Sequence, residues 1–206
     1  MRRHLLFTIF AAMIVAVAGC TGFRDGPPPR GSEAEIAELA QKIRGLDDTV
    51  DPEEAGRAAR IAYDYSHQLA VAYEITDPPI IHNIKVNNGT RPRGLCWHWA
   101  EDMERRLQQE NFATLDLHRA IANSDSTIFI DHSTALISAE GAPIEEAIVL
   151  DPWRKGGVLF WSPMQADPKY EWKPRLEALR DTGRLIYASP ASLGTETALA
   201  VSAGTF

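Results

Sequence analysis

Cys96 heads a run of residues that recur at helical spacing. Cys96, Trp99, Ala100, Met103 and Leu107 share one face of a helix expected to end near Glu110, while Glu101, Glu104, Arg105 and Gln108 face water. The cysteine therefore falls in the first turn, where free backbone N–H groups and the helix dipole favour a thiolate. A useful thiolate also needs a base to take its proton, and a third group to hold that base in one tautomer. His132 lies inside the strand-like run Ile128 to Ile137, and Asp151 closes Ala147-Ile148-Val149-Leu150 just before Pro152. If those strands pair through the turn at Gly141, imidazole and carboxylate can be neighbours on one sheet face, giving nucleophile, base and orienter in that order. Each residue also has a plainer reading: an inert core thiol, a structural histidine, and an ordinary Asp-Pro strand end.

Residues 32–189 carry the elements that must position these groups, as one α+β domain. Ser32 with Glu35 makes a capping box ahead of Ile36, Leu39, Ala40 and Ile43, predicting a helix to about Leu46. Asp51-Pro52 starts a longer helix whose apolar face runs from Ala55 to about Tyr73. Residues 76–94 read as a loop, punctuated by Pro78, Pro79, Asn87, Asn88, Gly89, Pro92 and Gly94. Past Asn111 the period shortens: Leu115 to Arg119 alternates, Thr127 to Ala139 reads as a long strand, Ala147 to Leu150 as a third, and Val158 to Trp161 as a fourth. The sum is helices, one of them bearing the cysteine, packed on an antiparallel sheet. Residues 190–206, rich in Ala, Ser, Thr and Gly, are expected to form a weakly ordered tail.

Gly94-Leu95-Cys96-Trp97-His98-Trp99-Ala100, then His132 on a strand, then Val149-Leu150-Asp151-Pro152 closing another, resembles the transglutaminase-like cysteine superfamily over about residues 90 to 155. The resemblance implies a papain-like fold, with Cys96 as nucleophile, His132 as general base and later acid, and Asp151 as the carboxylate that orients the ring. The implied reaction is acyl transfer from a peptide or amide through a thioester to water or an amine. One oxyanion donor would be the Cys96 N–H. The tryptophan that some members place upstream is missing, so Asn87 or Asn88 is the expected second donor. Trp97 and Trp153 flank the proposed catalytic residues and could wall a substrate groove. His98 points off the cysteine's helical face and reads as substrate rim or surface. An NlpC/P60-like cell-wall peptidase is a related reading, although its usual Asp-Cys-Ser-Gly stands here as Leu95-Cys96-Trp97-His98. A non-catalytic lipoprotein that binds a protein partner or the cell wall is the alternative from another class.

The N-terminus sets the expected location. Arg2-Arg3-His4, an apolar stretch from Leu5 to Val17, and Val17-Ala18-Gly19-Cys20 form a secretory signal of residues 1–19. The last four residues resemble the lipobox of bacterial lipoproteins, which implies cleavage before Cys20 and its acylation, hence a membrane anchor. Thr21 at the following position favours the outer membrane, facing the periplasm. Residues 20–31, with Pro27-Pro28-Pro29, read as a tether. Removing Arg2 and Arg3 with no acid moves the formal charge from −7 to −9, which argues against a nucleic-acid partner. Of the two cysteines Cys20 would carry lipid, so Cys96 has no disulfide partner. His67, His82 and His118 lack metal-ligand spacing, and neither a metal nor a cofactor is expected.

Overall fold

Local chemistry starts each of the first two helices. The structure is a computed structural model that describes residues 26–185. Helix α1 (Glu33–Arg44) is opened by the Ser32 and Glu35 capping box, and buries Ile36, Leu39 and Ile43. Helix α2 (Pro52–Ala72) begins with a proline at its first turn, and the Asp51 carboxylate accepts from the N–H groups of Glu53 and Glu54 at 2.8 and 2.9 Å. Alanines at 55, 58, 59 and 62 on its buried face let neighbouring elements approach closely.

A third helix, α3 (Pro79–Asn87), occupies the stretch expected to be loop. Proline lacks an N–H that a first turn would leave unpaired anyway, so Pro78-Pro79 begins this helix instead of preventing one. Asn88 and Gly89, the latter with φ +72°, mark its end. Helix α4 (Cys96–Gln108) then leads into the sheet.

The strands are β1 (Leu115–Ala122), β2 (His132–Ala139), β3 (Ile148–Asp151), β4 (Phe160–Pro163) and the short β5 (Lys173–Pro174), followed by helix α5 (Arg175–Asp181). They form one antiparallel sheet in the order β4-β3-β2-β1-β5, with Leu136 opposite Val149 and Arg119 opposite Ala135. β2 lies in the middle and is buried along its whole length. Ala135, Ile137, Ile148 and Leu150 face the helices, packing with Leu39, Ile43, Met103 and Leu107. Leu136 and Val149 pack with Met164 and Trp172 in a separate cluster, so both faces are covered.

One further expectation is corrected. β2 begins at His132, not Thr127. The Ser126 hydroxyl accepts from the N–H groups of Ile128 and Phe129 at 3.2 and 2.9 Å, holding those residues in a turn despite their strand-forming composition. The end of the proposed tether is packed: Pro28 is buried, its carbonyl accepts from His67 Nδ1 at 2.9 Å, and it lies so close to Gly157 that a Cβ there would come within 2.8 Å. Cys20, the signal segment and the 190–206 tail lie outside the described residues. Among the described residues no helix is long and apolar enough to cross a membrane.

Candidate active site

The turn before Cys96 is held by four hydrogen bonds from three aromatic side chains. Gly94 has φ +127°, a conformation L side chains rarely adopt, and the His82 ring fills the space where a Cβ would stand. His82 Nε2 donates to the Arg93 carbonyl at 2.9 Å, and Trp99 Nε1 donates to the Gly94 carbonyl at 3.0 Å. His98 Nδ1 accepts from the N–H groups of Gly94 and Leu95, both at 3.2 Å. That fixes its proton on Nε2. Burial, with help from Arg93, pushes the His98 pKa down to about 4, in keeping with a neutral ring that accepts. His98 is thus a buried helix cap, not a rim or surface residue. The N–H groups of Cys96 and Trp97 take part in none of these bonds.

Cys96 is the first residue of α4, 8% exposed, with Sγ 3.6 Å from the Asp131 carbonyl. His132, the first residue of β2, places Nε2 2.6 Å from Asp151 Oδ2. Nδ1 has no hydrogen-bond partner among the described residues, which leaves it as the ring nitrogen available to the thiol. Burial pushes the imidazolium down, but the Asp151 charge and hydrogen bond, together with the Cys96 sulfur, outweigh it and raise the pKa to about 9. Asp151 is itself buried, which would raise its pKa; His132 and Arg154 hold it below the usual carboxylate value.

The structure therefore brings Cys96, His132 and Asp151 together, and adds side chains that the sequence did not announce. Arg154 Nε donates to Asp151 Oδ2 at 2.9 Å, and its Nη1 and Nη2 donate to the two oxygens of Asp167 at 2.9 and 2.6 Å. Asp167 also accepts from Trp172 Nε1 at 2.9 Å. The His132 ring is surrounded by Trp153, Tyr170 and Trp172, with centroids 4.6, 4.6 and 5.3 Å away. The Arg154 guanidinium lies 3.8 Å from the Phe160 ring centre and 4.7 Å from that of Tyr170. The local signal for Arg154 was its position three residues after Asp151. Nothing in the sequence linked Tyr170 or Trp172 to His132.

Of the two tryptophans expected to wall a groove, Trp153 is buried against His132, while half-buried Trp97 stacks on His98 with centroids 3.8 Å apart. Asn87 and Asn88 are not brought into the cluster: both are exposed, at the last residue and the C-cap of α3. The asparagine that reaches the site is Asn83, one turn earlier, whose Oδ1 accepts from Trp153 Nε1 at 3.1 Å. Among the described residues no group of three or more His, Cys, Asp or Glu side chains is arranged to hold a metal ion. Comparison of the chain with protein-family models, curated proteins and solved structures finds no match.

Proposed function

We propose that this protein is a membrane-anchored, extracytoplasmic cysteine hydrolase or acyltransferase of papain-like, transglutaminase-like architecture, acting on a peptide, protein or cell-wall amide. The observation that carries the reading is the buried His132, bonded to Asp151 on one side and acted on by the Cys96 sulfur on the other. An imidazolium that keeps its proton to about pH 9 is a fitting counter-ion for a thiolate at a helix start. The thiolate attacks the amide carbonyl, and the N–H of Cys96 donates to the developing oxyanion. His132 then gives its proton to the leaving amine, the C–N bond breaks, and a thioester remains on Sγ. Water or a second amine, deprotonated by His132, attacks that thioester and releases Cys96. Lipidation of Cys20 would keep this chemistry at an envelope membrane, with the outer membrane facing the periplasm as the proposed site.

Modification by iodoacetamide tests the reading, with Cys20→Ala making Cys96 the sole thiol. Folded protein should be alkylated faster than an exposed free cysteine at pH 7, and His132→Ala should slow it at least tenfold. A thiol that reacts only after unfolding, with no dependence on His132, refutes the catalytic reading.

A further inference from the structure

We propose that the turn Ile128-Phe129-Ile130 is the substrate-recognition edge of the Cys96 site, and that the substrate presents a large apolar side chain next to the reacting carbonyl. The inference rests on the catalytic reading and names its substrate class.

The three side chains are 85%, 67% and 54% exposed, among the most exposed large apolar residues of the described chain. Their backbone is nevertheless fixed. Ser126 Oγ accepts from the N–H groups of Ile128 and Phe129, Asn123 Nδ2 donates to the Ile130 carbonyl at 3.2 Å, and Arg184 pairs with Asp131. A turn held on both sides that still presents three apolar side chains to water is a surface prepared for an apolar partner.

Continuity with the nucleophile identifies the occupant. Ile130 directly precedes Asp131, whose carbonyl is the one that Sγ approaches, and His132 follows. Phe129 is two residues from Asp131, whose carbonyl lies 3.6 Å from Sγ, so the turn adjoins the nucleophile in the chain. Charge at this edge is already matched: Asp131 pairs with Arg184, and Asp125 with Lys173 at 3.2 Å. The far side of His132 has the same character. Asn83 holds Trp153 against the ring, and its helical neighbours Ile80 and Ile84 are 51% and 50% exposed.

The test uses the full chain carrying Cys20→Ala and two peptidyl electrophiles of one warhead, with leucine or aspartate beside it; iodoacetamide is the reference without a side chain. The leucyl probe should modify Cys96 at least tenfold faster than the aspartyl one. Phe129→Ser should cut the leucyl rate about fivefold, and serine at 128, 129 and 130 together should erase the preference, with the iodoacetamide rate unchanged in both variants. Iodoacetamide reaction with no preference between probes, or a preference that survives the triple variant, overturns this inference alone. Failure of every reagent on folded protein overturns the catalytic reading and this one with it. Loss of binding to phosphatidylcholine vesicles in the triple variant, with probe preference intact, assigns the turn to a lipid surface and overturns it as well.

Discussion

Asp151 is shared between two cations, which sets what its neighbours can do. A fully buried carboxylate bonded to His132 alone would hold the imidazolium proton tightly; with Arg154 Nε also 2.9 Å away, the anion stays satisfied when the ring gives up its proton. Arg154 is a positioning residue in this scheme, locked between Asp167 and the rings of Phe160 and Tyr170. Arg154→Met should move the His132 titration above about 9, followed through its ring resonances by NMR, because a repelling cation has gone. Arg154→Lys should recover part of that shift. Stability should fall by about 3 kcal/mol in the Met variant, since two buried carboxylates lose a partner. A His132 titration that stays in place while stability falls would reduce Arg154 to a packing role. Cys96 and Asp151 were legible in sequence because each carries a local cue, a helix start and a strand end before proline; His132 was expected inside a strand and is instead the first residue of β2. Arg154 carries only its place three residues after Asp151. Its role depends on Asp167 and Tyr170, which only the tertiary fold brings near.

At the scale of elements, the turn into α4 decides where the sulfur stands. Gly94→Ala adds a Cβ where the His82 ring lies and forces a side chain into φ +127°. The expected cost is about 2 kcal/mol or more in urea denaturation, with slower alkylation of Cys96 as its helix start shifts. Adding His82→Ala should relieve the steric part but not the backbone part. The double variant should therefore be more stable than the sum of the two single losses predicts, and strict additivity would refute the contact. Helices α1 and α2 were legible through their caps and apolar spacing, because the same residues that stop the chain fraying are visible in sequence. Helix α3 was not, since proline and asparagine pairs signal breaks and helix ends alike, and only packing chooses between them. The start of β2 was misread for a related reason. Ile128-Phe129-Ile130 has strand composition, but a single hydroxyl at Ser126 captures two of its N–H groups. The two-residue β5 and the seven-residue α5 are too short for periodicity to register.

At the scale of the molecule, four histidines of the described residues, His82, His98, His118 and His132, divide into two groups with opposite pH linkage. Burial lowers the pKa of His82 and His118, and takes that of His98 to about 4, so the unfolded chain binds their protons first as pH falls below about 6.5. Their contribution is complete above that value and is lost toward acid. His132 runs the other way: its folded pKa of about 9 exceeds the unfolded one, so its contribution is complete below about 6.5 and is lost as pH rises through 9. The lowered carboxylates, Asp151 and Asp167 among them, add an acid limb only near and below pH 4, and leave the neutral region to the histidines. Stability should therefore peak near pH 6.5, with an alkaline loss of up to about 3 kcal/mol from His132. Urea denaturation at pH 5, 6.5 and 9 reads both limbs. His132→Gln should flatten the alkaline limb and leave the acid one, whereas His98→Asn should soften the acid limb and leave the alkaline one. A wild-type stability that keeps rising from pH 6.5 to 9 would mean that His132 is neutral in the fold, and the imidazolium on which the proposed thiolate depends would go with it.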